Sequence, residues 1–341
     1  TLKGMVVSNG LDANMSAQAK ELLDALTLIG TASNGFMWDS SYATEQVNAV
    51  SQDLLTLKVV RKLHGLLAVR QNEAEPVSQE AKRRLAFFVN SLFMEMPNAP
   101  KVEDMRSFTV VTPFYSEDVI YTKGDLEREN TDGVTVLLYL QTLFKQDWEN
   151  FIERLKITEP GQIWSPKFLM ETRMWASLRA QTLARTVQGM MYYEAALRLL
   201  SRLEKVDPSV AEDLIKEKYS YVVAAQVYGK MKKNQDNKAE DIDYLLKKYP
   251  NLRVAYIDES RGRDGRSQFY SVLIKATQDG EPGEDGSGIQ KIYSVRLPGN
   301  PVLGEGKPEN QNHAMIFTRG EYVQAIDMNQ DGFFEEALKH R

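Results

Sequence analysis

The chain has 341 residues, 43 % of them hydrophobic, enough for one large domain or two ordinary ones with a core that needs no covalent staples. Its 42 basic and 47 acidic residues leave a net charge of -5, the wrong sign for a nucleic-acid binder with a basic face. The absence of cysteine excludes disulfides and thiolate metal sites and fits a reducing compartment.

No run approaches the roughly 18 apolar residues of a membrane span, and no signal peptide opens the chain. Thr1 at the start, and a helical pattern over 335–341 at the end, read as the cut ends of a longer polypeptide. Residues 1–95 read as a helical region. Apolar positions recur at three- and four-residue spacing over 17–28 and 47–69. A polar linker follows at 71–76, and a further helix over 78–94 ends at a proline-containing stop. The β-rich segment 108–115 predicts a strand ended by Pro113. Residues 134–143 and 148–155 read as helices. Ser165-Pro166 reads as the start of a helix that runs unbroken past Leu200, with serine as N-cap and proline at the first helical position. The last third changes character. A strand over 252–257 runs into Asp258-Glu259, segments 269–276 and 289–297 alternate as a β-ribbon, and 314–317 and 322–326 read as two more short strands. The ribbon's connector, 279–288, is glycine-rich and acidic and reads as a surface loop. Helices followed by mixed strands predict an α/β domain with a helical attachment.

Four segments hold residues suited to chemistry. Asp327, Asn329 and Asp331 alternate directly after a strand, so their oxygens can converge on a hard cation or on sugar hydroxyls. An EF-hand is excluded because Leu338 stands where its last acidic ligand belongs and a strand precedes the loop. The plainer reading is a polar turn closed by Gly332. Asp258 and Glu259 stand at a strand's end, where ligands bind in open α/β sheets, or form an exposed acidic turn. Residues 304–313 carry glycines, Lys307, Asn310, Gln311, Asn312 and His313 between predicted strands. This is no P-loop, since Pro308 follows the lysine, but glycine amides and a lysine can still cradle a diphosphate. His313 suits phosphate contact or acid/base work, or serves the core. The helical stretch 171–186 carries Arg173, Arg179 and Arg185, suited to diphosphate or carboxylate, or to a solvated basic face.

Read together, these segments resemble the 1,3-β-glucan synthase family of plant callose synthases and fungal glucan synthases. The similarity runs from about residue 55 to the end, and its most specific pieces are 87–94, 108–118, 173–183, 189–193, 303–313 and 319–331. The wording Met190-Met191-Tyr192-Tyr193 and Asp327-Met328-Asn329-Gln330-Asp331 is closer to callose synthases than to the fungal branch.

The resemblance implies a large integral enzyme of the plasma membrane, with this segment in the cytosol between two membrane blocks of the same polypeptide. Such enzymes transfer glucose from UDP-glucose, with inversion, to a growing β-1,3-glucan acceptor. The implied fold is α/β, a GT-A-like mixed sheet flanked by helices, with 1–95 leading into a partial catalytic domain over 96–341. Family motifs beyond Arg341 are absent. They would supply acceptor contacts and the general base, so the fragment alone is expected to be inactive. On this reading Asp258, Asp327 and Asp331 are the catalytic candidates. Glu259, Lys307, Asn310, Gln311, Asn312, His313 and Asn329 recognise UDP-glucose, and Arg173, Arg179 and Arg185 contact the diphosphate. Asp327 and Asp331 would hold Mg²⁺ if a metal serves; no organic cofactor is expected, and a small GTPase is a candidate regulator. The competing reading is a non-catalytic interaction or carbohydrate-binding module.

Overall fold

The computed structural model describes residues 79, 82–84, 99–262, 265–277, 286–328 and 330–340. The helices predicted over 17–28 and 47–69, Asn329 and most of the 279–288 connector lie outside the described residues. Of the helix predicted over 78–94, Gln79 and 82–84 are described, and they are helical. The chain divides into units at 1–84 and 85–341, and the elements below belong to the second.

Six strands form one mixed sheet in the order β5-β4-β3-β2-β1-β6. They are β1 (Phe108–Pro113), β2 (Tyr219–Ala224), β3 (Leu252–Arg261), β4 (Ser267–Ala276), β5 (Ile289–Arg296) and β6 (Tyr322–Ala325). β6, β1, β2 and β3 run parallel, and β3, β4 and β5 form an antiparallel ribbon on one edge. β2, Tyr-Ser-Tyr-Val-Val-Ala, is buried along its whole length, as a central parallel strand must be. The sheet expected to join the strands near Val254 and Ile326 is therefore present.

Ten helices accompany the sheet among the described residues: α1 (Lys123–Glu127), α2 (Val136–Leu143), α3 (Lys145–Leu155), α4 (Leu169–Ser177), α5 (Leu183–Leu203), α6 (Pro208–Lys218), α7 (Tyr228–Lys233), α8 (Asn237–Lys248), α9 (Lys307–Ala314) and α10 (Phe334–Ala337). α5 to α8 pack on one sheet face, where Leu183, Val187, Met190, Ile215, Tyr221, Val223, Leu245 and Val254 share the main core. α9 packs across β1, β2 and β3 on the other face. A satellite core around Trp148, Phe151 and Trp175 holds α1 to α4 together.

Four expectations are corrected. The helix expected to run unbroken from Ser165-Pro166 past Leu200 is two helices, α4 and α5. Thr182 caps α5, and the next two amides donate to the Asp118 and Val119 carbonyls at 2.9 and 3.1 Å, so the loop after β1 satisfies groups that a continuous helix would have paired internally. Ser165 Oγ donates to the Gln162 carbonyl, and α4 starts only at Leu169. Residues 314–317 are the end of α9 and a 3-10 turn, Met315–Phe317, rather than a strand. Asp258 and Glu259 lie inside β3, paired with Tyr270 and Phe269 of β4, rather than beyond the strand's end.

Arg173 shows why α4 must sit where it does. Its Nη2 reaches both carboxylate oxygens of Asp241 on α8 at 2.8 and 2.7 Å, and its Nε donates to the Tyr121 carbonyl at 2.7 Å. Burial pushes the Asp241 carboxyl up, and Arg173 only partly counters that. Breaking such a buried pair costs more than the pair itself contributes. Arg173→Ala should therefore cost about 3–5 kcal/mol of unfolding free energy, read from the urea midpoint. A loss under about 1 kcal/mol, the level of an exposed ion pair, would remove this role.

Candidate functional site

The order β3-β2-β1-β6 contains a reversal. The chain lays β2 and β3 on one side of β1 and later returns to add β6 on the other. In open α/β sheets, ligands bind outside the carboxyl ends of the strands at such a point. The segments leaving those ends are 114–118 after β1, 225–227 after β2 and 326–331 after β6.

α9 brings Lys307 to this edge, where its ammonium pairs with Asp327. Both side chains are exposed. Asp331 pairs with Arg185 from the first turn of α5. The loop that carries both aspartates is pinned to α5. Thr186 Oγ1 donates to the Met328 carbonyl at 2.7 Å, and the Gln330 amide donates to the Asp327 carbonyl at 2.9 Å. Gly189 and Gly332 touch backbone to backbone, so a β-carbon on Gly332 would stand 2.5 Å from the Gly189 Cα.

The first turn of α9 ties two strand ends together. Asn310, fully buried, accepts from the Gln226 amide at 3.0 Å and donates to the Phe114 carbonyl at 2.8 Å. Glu309 accepts from the Leu303 and Glu305 amides and from Gln226 Nε2. Burial raises its carboxyl, and these donors outweigh that and hold it below the usual range. Tyr115 places its hydroxyl beside Gly306, at 3.7 Å from where a β-carbon would stand. Burial, then Glu309 and Glu117, push that phenol up, so it stays protonated.

Beyond Gln226 a cleft of about 250 Å³ opens between α7, the β3–β4 ribbon and the loop after β5. Gln226, Lys230, Lys233, Glu259, Phe269 and Asn300 line it. Lys233 also holds Asp258 at 3.1 Å and the Glu259 carbonyl at 3.3 Å.

The structure thus gathers Lys307, Asp327, Asp331 and Arg185 at the strand ends, and Glu259 with Asp258 beside the cleft. It does not gather the others. Arg173 is held in its pair with Asp241. Arg179 lies over Trp175 at 4.3 Å, donates to the Trp175 carbonyl and pairs with Asp147, all within the satellite core. Gln311 is half-buried and Asn312 exposed on α9. His313 is buried against β4. Ser271 Oγ donates to its carbonyl at 3.0 Å and lies 2.9 Å from its Nδ1, and burial lowers its pKa to about 4, so the ring is neutral near pH 7. Sequence reading passed over Tyr115, Gln226, Lys230, Lys233 and Glu309. The signal for Gln226 was its place right after the β-branched and aromatic run 219–224.

As they stand, the aspartates do not fit a shared ion, because each faces its own cation. Among the described residues no three His, Cys, Asp or Glu side chains are grouped to hold a metal. Mg²⁺ would have to displace Lys307 and Arg185.

The family model described as 1,3-beta-glucan synthase component matches residues 75–165 and 161–341. Callose synthase 5 of Arabidopsis thaliana is 46 % identical over 312 residues, covering 83 % of this chain and 16 % of that protein. Callose synthase 10 of the same plant is 44 % identical over 355 residues, covering 96 % of this chain and 18 % of its own length. The chain thus spans 16–18 % of the length of these relatives. With a family model covering most of its length and such identity throughout, the chain belongs to the 1,3-β-glucan synthase family.

Proposed function

We propose that the chain carries part of the donor site of a UDP-glucose-dependent 1,3-β-glucan synthase, on a GT-A-like sheet, in a cytosolic segment of a plasma-membrane enzyme. Family membership and the callose synthase relatives support the general activity. Among the described residues no helix is long and apolar enough to cross a membrane. The observation that carries the site is the Lys307–Asp327 pair at the sheet's reversal point.

The chemistry asks for what stands there. An acceptor hydroxyl attacks the anomeric carbon, the bond to UDP breaks with its electron pair leaving on the diphosphate, and the hydroxyl proton passes to a base. Positive charge fixed at the leaving group lowers that barrier. Lys307 is a compact charge for phosphate, and Arg185 offers a planar fork. Asp327 and Asp331 hold both cations in place before the donor arrives. The cleft at Gln226, Glu259 and Asn300 takes the uridine.

Equilibrium binding to this chain tests the reading and separates it from an interaction or carbohydrate-binding module. UDP and UDP-glucose should bind at least about tenfold more tightly than GDP-mannose, a gap of about 1.4 kcal/mol. Binding of free glucan in preference to UDP, or no binding at all, would defeat it. A chelator separates the cation pair from a metal. Affinity unchanged by chelation assigns the diphosphate to Lys307 and Arg185, whereas a loss restored by Mg²⁺ returns the ion to Asp327 and Asp331.

A further inference from the structure

Gln226 stands between the end of β2 and the start of α7, and its backbone is fixed from two sides. Its amide donates to Asn310 Oδ1 at 3.0 Å, and its carbonyl accepts from the Ile257 amide at 3.3 Å. The residue is only 8 % exposed and lines the cleft of about 250 Å³ described above. Its Nε2 donates to Glu309 Oε1 at 3.3 Å. The Leu303 and Glu305 amides keep Glu309 ionised, so that carboxylate can only accept. The Gln226 side-chain amide therefore cannot be turned the other way round. Its Oε1 is left buried, with no donor among the described residues. A buried acceptor without a partner costs stability and calls for an explanation.

A second amide on the same cleft is fixed in the opposite sense. Asn300 Oδ1 accepts from the Val302 amide at 3.0 Å, so Nδ2 is the group left to donate. Phe269, half-buried, adds an aromatic wall. One cleft thus offers a fixed acceptor, a fixed donor and a ring face. The two pyrimidine bases read that pair oppositely. Uracil carries a donor at N3 and an acceptor, O4, beside it. Cytosine carries an acceptor at N3 and a donor amine beside it.

We propose that Gln226, with Asn300, selects uracil over cytosine in the nucleotide that this cleft takes. Gln226 Oε1 accepts from the uracil N3–H, and Asn300 Nδ2 donates to O4. The oxygen is shielded as it stands, so the side chain turns it toward the cleft as the base enters, with Nε2 kept on Glu309. With cytosine, acceptor would face acceptor and donor would face donor. A site built to pair with a ligand's N–H rejects the analogue that lacks it, because its own buried group then stays unpaired. The proposal rests on the donor-site reading above and names what chooses the base there.

Equilibrium binding of UDP and CDP to the full-length synthase tests it. Cytosine is the informative competitor, since it inverts both groups in a ring of the same size. The wild type should bind UDP at least about tenfold more tightly than CDP, the scale for one buried group left unpaired. Gln226→Met removes both side-chain polar atoms at similar length. It should weaken UDP until the two nucleotides lie within about threefold of each other, without weakening CDP. Asn300→Ala alters an exposed side chain and should narrow the preference by at least about threefold at unchanged protein level, which decides the matter if the Gln226 variant fails to accumulate. Lys307→Ala should weaken UDP and CDP alike and leave their ratio unchanged. Equal binding of UDP and CDP by the wild type would overturn the proposal. So would a preference for UDP that neither Gln226→Met nor Asn300→Ala alters, even where Lys307→Ala weakens both nucleotides and the donor site stands. Affinities for both nucleotides that ignore Lys307→Ala would instead count against the donor-site reading.

Discussion

Replacing Lys307 with alanine should lower glucan synthesis from UDP-glucose by about 100-fold or more in membranes containing the synthase, the scale for losing one group that stabilises leaving-group charge. The fold should not notice. Lys307 and Asp327 are 48 and 62 % exposed at the side chain, and exposed ion pairs contribute about 0–1 kcal/mol. On the proposed donor site, a pair so weak for stability acts in binding or chemistry rather than in folding. Asp327→Ala should behave similarly, because the lysine loses the partner that orients it. Lys307→Arg should retain part of the activity, since the charge survives and its geometry changes. The measurements are product formation against UDP-glucose concentration and the protein level in the same membranes. Near-wild-type synthesis by Lys307→Ala would remove this residue from the donor site. A drop in protein level matching the drop in activity would make it structural.

Some of this was legible in the sequence, for physical reasons. β1 announces itself by its run of β-branched residues, and β4 and β5 by their two-residue alternation. Asp327, Asn329 and Asp331 stand out because they alternate directly after a strand. What sequence reading missed is non-local or has little apolar signal. The run Lys307-Pro308-Glu309-Asn310-Gln311-Asn312-His313 has almost no apolar residues to display a helical period. It forms a helix because Asn310 and Glu309 find backbone partners on three other segments. Read as a helix from Lys307, with proline in the first turn, the run places Glu309, Asn310 and His313 inward. The arginines of 171–186 looked equivalent on one helix. They are not, because the chain breaks at 178–182 and sends Arg173 to a buried aspartate, Arg179 to an aromatic cluster and Arg185 alone to the 326–333 loop. Residues 204–251 drew no reading, although Asp207-Pro208 is a good helix start and 219–224 a good strand.

The second large effect should come from a residue with no functional group. Gly332→Ala should lower glucan synthesis by about 100-fold, through displacement of a charged loop by about 1 Å. A β-carbon at Gly332 would meet backbone, at 2.5 Å from Gly189 Cα and 3.1 Å from Gly189 C, and helical backbone cannot turn aside as a side chain can. The loop must therefore move, and it carries Asp331 directly before the contact and Asp327 five residues before it. Overpacking of this kind costs about 1–3 kcal/mol, so a loss of stability should accompany the loss of activity. Gly189→Ala meets the same contact from the helix side, at 3.0 Å from Gly332 Cα, and should show a smaller version of both effects. Gly161→Ala, with nothing within 4 Å of the new carbon, is the control and should change neither. UDP binding to the purified chain distinguishes loop displacement from general damage. If the loop is what moves, Gly332→Ala should weaken UDP binding in proportion to its loss of synthesis while the buried Arg173–Asp241 pair keeps the rest folded. Wild-type UDP affinity in a variant that has lost synthesis would show that Asp327 and Asp331 act on something other than the donor.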